Sequence, residues 1–148
     1  MRYFEVVKDE FKKNEGEIKL PTRASAHSAG YDFYSPVDVT IQPGETAMIW
    51  TDVKANMYYD NVLMLYVRSS MGKHPVVIAN GTGIIDSDYF SNPDNDGNIG
   101  FRLLNLGKTP YEIKVGDRIG QGVFTKFGIV KDDMTTTQRS GGFGSSGK

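Results

Sequence analysis

The stretch NVLMLYV (residues 61–67) is a short apolar run that leads directly into Arg68. Three other stretches are similarly short and have an apolar period of mostly two, which places successive side chains on opposite faces of a strand. They are VDVTI (37–41), IGFRLLNL (99–106) and YEIKV (111–115). Turn-forming residues separate them, in QPGE (42–45), SNPDNDGN (91–98), LGKTP (106–110) and VGD (115–117). Short strands with regular turns predict an all-β fold, either a barrel or a jelly-roll sandwich.

The size and composition of the chain limit its function classes. It has 148 residues, no Cys and a formal net charge of −1. A domain of this length buries a core without disulfides, and the lack of Cys excludes a thiolate nucleophile and a Cys-based zinc site. The small charge gives no general attraction to nucleic acid or acidic membranes, and no apolar run approaches the ~20 residues that span a bilayer. We expect a cytoplasmic protein that binds neither nucleic acid nor membrane.

The C-terminal residues differ in composition from the rest of the chain. From about Thr135 the sequence becomes rich in Thr, Gly and Ser, which is typical of a mobile segment. We predict a β domain over residues 1–134 and a mobile C-terminal arm over residues 135–148. No stretch of a dozen residues has a helical apolar pattern, so the single helix expected is a short one near SSMGKH (69–74).

Five stretches are too polar or too rich in glycine for plain β structure. They are AGYDFYS (29–35), VRSSMG (67–72), IANGTGIIDSDYF (78–90), VGDRIGQGVF (115–124) and RSGGFGSSGK (139–148). Each alone has a structural explanation: a strand start at Gly30 and Asp32, a turn, a hairpin, a β-bulge, and a flexible linker or cloning remnant.

The same stretches also offer groups for phosphate chemistry. Arg68 with Ser69 and Ser70 supplies a planar cationic fork and two hydroxyls, which suit phosphate oxygens. Asp86 directly follows two Ile residues, and a half-buried carboxylate there is a candidate general base. Gln121 stands between two glycines that leave room for a ligand or another backbone.

In this order, the five stretches resemble the five motifs of the trimeric dUTPase family (dUTP nucleotidohydrolases), over most of the chain from about Ala29. The resemblance implies an all-β jelly-roll subunit, a homotrimer and active sites built from several subunits. It implies a dUTP diphosphatase that hydrolyses dUTP to dUMP and pyrophosphate with Mg²⁺. This reaction keeps uracil out of DNA and supplies dUMP for dTMP synthesis. A phage or Firmicute-type member is expected, in the host cytoplasm if the gene is viral.

The resemblance also implies catalytic roles. Asp86 would activate the water that attacks the α-phosphorus, with Gln121 near that phosphate or the water. Asp32 would not contact the substrate directly but would hold a metal-bound water or an Arg that does. Arg68, Ser69 and Ser70 would hold the phosphates. Mg²⁺ would be carried by the triphosphate, with no direct protein ligand.

Further residues would recognise the nucleoside and close the site. A hairpin running from Asn80 through Gly83, Ile84 and Ile85 to Asp86 would read the uracil edge. Tyr89 would face the sugar and leave no space for a 2′-hydroxyl. The C-terminal arm would act as a flap, in which Phe143 caps the uracil and Gly144, Ser145 and Ser146 wrap the phosphates. Either Arg139 takes over the contact with the terminal phosphate, or that contact is weakened.

Two departures from the family pattern keep alternatives open. Gln138 stands where the family usually has Arg, with Arg139 next to it, and SNPDNDG (91–97) forms a lengthened turn after Tyr89. One alternative is a dCTP deaminase-type relative on the same fold. Another is a phage-type regulatory protein that acts by binding a protein partner, for which the lengthened turn would be a contact surface.

Overall fold

The chain is built almost entirely from β-strands. The computed structural model describes residues 1–142. In that range the strands are β1 (Tyr3–Val6), β2 (Thr22–Arg23), β3 (Tyr31–Tyr34), β4 (Val39–Ile41), β5 (Thr46–Trp50), β6 (Val53–Asn56), β7 (Asn61–Tyr66), β8 (Val76–Ile78), β9 (Gly83–Asp86), β10 (Gly100–Asn105), β11 (Tyr111–Ile113) and β12 (Arg118–Lys126). Three short 3₁₀ turns complete the regular structure, at Asp9–Phe11, Ser69–Lys73 and Ser87–Tyr89. The all-β expectation is confirmed, and the short helix expected near residues 69–74 is the second of these turns.

The strands form two larger sheets and two small ones. A five-stranded sheet has the order β2-β3-β12-β7-β9, and a three-stranded sheet has the order β5-β10-β8. Two-stranded sheets pair β1 with β6 and β11 with β4. All these pairings are antiparallel. Residues 127–142 form no strand, and the arm boundary at residue 135 stays a prediction.

The core lies between the two larger sheets. Phe33 of β3 and Phe101 of β10 are completely buried, and their ring centroids are 5.2 Å apart. A Cβ on Gly120 would collide with the Phe101 ring, and one on Gly122 would lie 2.8 Å from the Leu63 side chain. Of the two occupants expected beside these glycines, a ligand or another backbone, the structure shows a backbone together with core side chains, since a Cβ on Gly120 would also lie 2.9 Å from the Tyr66 carbonyl oxygen. The pairing register of β12 with β3 also shifts between Arg118 and Gly120, as in a β-bulge.

The segment expected to be a hairpin at residues 80–86 is not one. A turn does connect β8 to β9, with Gly81 at φ +83° and its N–H donating to the Ile78 carbonyl. However, β8 pairs with β10 whereas β9 pairs with β7, in the other large sheet. Ile78 and Ile85 both enter the core from these different sheets. The two strands therefore diverge after the turn and leave a space between them.

The lengthened turn at residues 91–97 is partly buried. Asn92, Asp96 and Asn98 are buried, whereas Ser91, Pro93 and Asp94 are exposed. Asp96 accepts hydrogen bonds from Lys54 Nζ at 2.9 Å and from the Lys8 backbone N–H at 2.8 Å. The buried polar residues of this turn thus join other parts of the same chain, and the use of its exposed residues as a contact surface stays a prediction. None of the helices in residues 1–142 is long and apolar enough to span a membrane.

Candidate active site

The space between β8 and β9 is a cavity of about 530 Å³. This volume lies in the usual range for small-molecule sites. Its floor is apolar and includes Met48, Leu65 and Phe101. The structure brings seven of the predicted site residues to this β8–β9 cavity: Asn80, Gly83, Ile84, Ile85, Asp86, Tyr89 and Arg139.

The strands that flank the cavity leave polar backbone groups beside it. In the described part of the chain β8 and β9 are both edge strands of their sheets. Each has one edge in a ladder and one edge without a strand partner, so N–H and C=O groups are available there. The absence of a side chain at Gly83 leaves room for Leu65 of β7, because a Cβ on Gly83 would lie 2.9 Å from the Leu65 side chain. An apolar floor with backbone donors and acceptors suits a flat, polar-edged ring.

Asp86 lies at the rim of the cavity and is paired with Arg139. Its side chain is 48% exposed, and its Oδ2 accepts a hydrogen bond from Arg139 Nη2 at 2.5 Å. Arg139 Nε also donates to Asp88 Oδ1 at 2.6 Å. The bond to Asp88, together with the charges of both carboxylates, raises the pKa of the Arg139 guanidinium. Arg139 therefore holds residues 139–142 against the end of β9 through ion pairs with these two carboxylates.

Tyr89 is held rigidly beside the cavity. Its side chain is buried, and its hydroxyl donates to the Asn98 carbonyl at 2.6 Å and accepts from Asn95 Nδ2 at 2.7 Å. Burial raises the pKa of Tyr89 to about 12. A Cβ on Gly142 would lie 2.6 Å from Tyr89 Cε1, so Gly142 packs closely on the ring.

A second group of predicted residues lies at the other end of the five-stranded sheet. Asp32, which is buried, accepts from Arg68 Nε at 3.1 Å and lies 3.6 Å from Arg118 Nη1. Arg68 Nη1 donates to Ser70 Oγ at 3.0 Å. We call Asp32, Arg68 and Arg118 the arginine cluster; both arginines line a cavity of about 370 Å³. Ser69 and Ser70 are exposed beside it.

Arg118 is a charged candidate-site residue that the sequence analysis did not identify. It follows the turn at residues 115–117 and looks like an ordinary surface cation in the sequence. The signal that identifies it is structural, because β12 pairs with β3 and sets Arg118 beside Asp32. Two guanidinium groups on one buried carboxylate form a concentrated positive charge that suits phosphate oxygens.

Gln121 lies next to the arginine cluster. Its Nε2 donates to the Val67 carbonyl at 3.2 Å, one residue before Arg68. A Cβ on Gly30 would collide with Gln121 Oε1. The absence of a side chain at Gly30 therefore leaves room for the Gln121 side chain.

One chain does not bring Asp86 together with Gln121 and Arg68. Asp86 pairs with Val62 on one side of β7, whereas Gln121 pairs with Tyr66 on the other side. Four residues along a strand and two strand spacings separate them by about 16 Å. The two cavities also share no lining residue. Groups at this distance do not act on the same phosphorus atom.

Comparisons with known proteins decide the family. A family model described as dUTPase matches residues 16–147. The chain is 41% identical over 150 residues to the deoxyuridine 5'-triphosphate nucleotidohydrolase of Lactococcus lactis, covering 99% of this chain and 98% of that protein. The chain belongs to the dUTPase family. This confirms the family and the enzyme class, dUTP diphosphatase, that the sequence motifs predict.

Other members of the dUTPase family agree in sequence and fold. The human mitochondrial deoxyuridine 5'-triphosphate nucleotidohydrolase is 40% identical over 134 residues, covering 86% of this chain and 50% of that protein. The crystal structure of dUTPase from Streptococcus mutans superposes with a TM-score of 0.78 at 36% identity, covering 86% of this chain and 98% of that one. A Staphylococcus bacteriophage 80alpha dUTPase has a TM-score of 0.73 at 23% identity, covering 95% of this chain and 99% of that one, which shows the shared fold alone.

Part of the fifth dUTPase motif lies outside the described residues. These are Phe143, Gly144, Ser145 and Ser146, so their predicted roles in a flap stay predictions. Arg139 lies inside, and it contacts Asp86 and Asp88. Its predicted contact with the terminal phosphate also stays a prediction.

Proposed function

We propose that this chain hydrolyses dUTP to dUMP and pyrophosphate, with Asp86 activating the water that attacks the α-phosphorus. The observation that carries this proposal is the presence of two complementary half-sites. The β8–β9 cavity offers a base-sized space with a carboxylate at its rim. The arginine cluster offers paired cations with hydroxyls beside them.

The β8–β9 cavity suits uracil. The pairing edge of uracil presents acceptor, donor and acceptor groups, which the unpaired backbone edges of β8 and β9 can complement. Cytosine reverses two of these groups and would leave buried partners unpaired, at a cost of about 1–3 kcal/mol each. The rigid Tyr89 ring on the cavity wall would face the sugar and exclude a 2′-hydroxyl.

The arginine cluster suits the triphosphate. Asp32 holds both guanidinium groups in place before substrate arrives, so the donors need little reorganisation. Gln121 would orient the α-phosphate or the attacking water, and Ser69 and Ser70 would donate to phosphate oxygens. Phe143, with Gly144, Ser145 and Ser146, would close over the bound nucleotide.

Mg²⁺ would enter this site bound to the triphosphate, with no direct protein ligand. In residues 1–142 no group of three His, Cys, Asp or Glu is placed to hold a metal ion, and both oxygens of Asp32 face arginines. The arrangement presents donors to phosphate oxygens rather than carboxylates to a cation. When bound, Mg²⁺ supplies neutralisation of the phosphate charge.

A complete site would be built from more than one copy of the chain. Asp86 of one copy would meet the arginine cluster of another, since about 16 Å separates Asp86 from Gln121 within a chain. A cyclic homotrimer would give three such sites. By this proposal the enzyme removes dUTP from the DNA precursor pool and supplies dUMP, and its cytoplasmic location stays a prediction.

An end-point assay tests the reaction. The protein is incubated with Mg²⁺ and separately with dUTP, dCTP, dTTP and UTP, and the products are resolved by ion exchange. We expect dUMP and pyrophosphate from dUTP alone. Deaminated products from dCTP would favour the deaminase-type relative. Intact dUTP would contradict the proposal and leave partner binding as the function to test.

A further inference from the structure

The turn at residues 91–97 is linked directly to the wall of the β8–β9 cavity. Asn95 Nδ2 donates to the Tyr89 hydroxyl at 2.7 Å, and that hydroxyl donates onward to the Asn98 carbonyl at 2.6 Å. Asn95 belongs to the turn where this chain departs from the usual family pattern, and Asn98 directly follows that turn. Two hydrogen bonds with fixed donor direction hold the tilt of the ring as well as its position.

Asn95 is itself fixed by bonds that do not involve a ligand. Its Oδ1 accepts from the Gly97 N–H at 3.0 Å. Gly97 has φ +82°, and a Cβ there would lie 2.6 Å from the Tyr89 carbonyl oxygen. The next residue, Asp96, is buried and paired with Lys54, which is also buried. The turn is thus anchored directly after Asn95, which gives Asn95 a rigid support beside the Tyr89 hydroxyl.

We propose that Asn95 is a positioning residue that sets the choice of deoxyribose over ribose by holding Tyr89. This inference rests on the proposed function and deepens it. Tyr89 lines the cavity that would receive the nucleoside. A Tyr89 ring that keeps one tilt occupies the space that a 2′-hydroxyl would need. If the ring shifts, that space opens and a ribose can bind. Asn95 acts through Tyr89 and does not itself line the cavity.

Two variants of Asn95 separate its two bonds. Asn95→Asp keeps an oxygen for the Gly97 N–H but replaces the amide donor that faces the Tyr89 hydroxyl. Asn95→Ala removes both bonds. Asp94→Ala is the matched control. Asp94 is exposed, and its hydrogen bond to Asn92 Oδ1 is donated by its backbone N–H, which the substitution keeps. Each is also made in a Tyr89→Phe background, where the hydroxyl is gone.

The readout is the ratio of kcat/KM for dUTP to kcat/KM for UTP. We expect Asn95→Asp and Asn95→Ala to lower this ratio about three- to tenfold, the size of one hydrogen bond, mainly through faster UTP turnover. Asp94→Ala should leave the ratio unchanged. In the Tyr89→Phe background the Asn95 substitutions should add no further change. The ratio of dUMP to UMP affinity, measured by calorimetry, should fall in parallel without any need for turnover.

Several results would overturn the inference. One is an unchanged ratio in Asn95→Asp, which decides the matter if Asn95→Ala fails to fold. Another is an equal fall in Asp94→Ala, and a third is a full Asn95 effect in the Tyr89→Phe background. Failure of the proposed function looks different, because the parent protein would then leave dUTP intact. The nucleoside monophosphate affinities would still test Asn95 in that case.

Discussion

The β8–β9 cavity and the arginine cluster are constructed in opposite ways. The arginine cluster lies within one sheet, where β3, β12 and β7 are neighbours and their ladders set Asp32 and Gln121 side by side. The β8–β9 cavity lies between edge strands of two different sheets. A continuous ladder fixes the positions of its residues through many backbone hydrogen bonds. The shape of a gap between two sheets depends instead on the side chains that line it. The placement of the arginine cluster is therefore set by the sheet itself, whereas the shape of the β8–β9 cavity depends on Tyr89 and on the ion pairs of Arg139.

The strongest test of this division is Asp86→Asn. Removing a general base typically costs about 10²–10⁴-fold in rate, so kcat should fall by that factor while nucleotide binding persists. Steady-state kinetics and calorimetry with a slowly hydrolysed dUTP analogue measure the two quantities. Equal loss of binding and rate would place Asp86 among the binding groups instead.

Mixing two inactive variants tests whether the halves come from different copies. Asp86→Asn and Arg68→Ala chains are unfolded together and refolded at equal concentration. If a site takes Asp86 from one chain and Arg68 from another, random assembly restores roughly a quarter of the sites. No recovery in a well-assembled mixture would mean that each site uses both residues of the same chain.

Asp32→Ala should weaken the phosphate half by a smaller factor. Arg68 and Arg118 would then face each other without the buried carboxylate between them. Without Asp32 the guanidinium groups lose their fixed placement, and a misplacement of about 1 Å can lower kcat/KM by roughly a hundredfold. Asp94→Ala is the exposed control. A parent-like kcat/KM in Asp32→Ala would show that the arginines are placed by their strands alone.

Alkaline unfolding probes the wall of the β8–β9 cavity. The pKa of Tyr89 is raised from 10.0 to about 12 by burial, so the unfolded chain loses this proton at lower pH than the folded one. The stabilising contribution is complete below pH ~10 and is lost as the pH rises towards ~12, at about 1.4 kcal/mol per unit. Denaturant titrations should give a shallower decline over this interval for Tyr89→Phe than for the parent. Parallel curves would mean that the hydroxyl is not buried in solution.

Gly120→Ala separates a core role from a ligand role. Its Cβ would collide with the Phe101 ring, and overpacking of a core costs about 1–3 kcal/mol. We expect a lower free energy of unfolding with little change in KM for dUTP. A higher KM with parent-like stability would instead place Gly120 at the ligand.

The sequence predicts the strands and the family well because both depend on local patterns. The stretch at residues 61–67 contains β7, which pairs with both β12 and β9. Asp86 lies half exposed at the end of β9, as the sequence predicts. What sequence does not reveal is which strand pairs with which. The hairpin at residues 80–86 was expected because its turn residues are correct, yet its arms pair in different sheets.

The same limit explains the other differences. Gly120 and Gly122 look like space for a ligand until β10 and β7 place Phe101 and Leu63 against them. The acidic turn at residues 94–97 looks exposed until Lys54, forty-two positions away, is found paired with Asp96. Long-range partners of this kind leave no mark in a local pattern.

The contacts of the turn at residues 91–97 show that the folded domain includes residues before the start of the family match. The family match starts at residue 16, but Lys8 donates to Asp96, and the backbones of Lys13 and Asn14 donate to Asp52 at 2.9 Å. Asp52 in turn accepts from Asn98, whose carbonyl holds the Tyr89 hydroxyl. A protein shortened to the matched region would leave these carboxylates short of donors in the interior. The first fourteen residues therefore support the wall of the β8–β9 cavity formed by Tyr89, and a minimal version of this enzyme has to retain them.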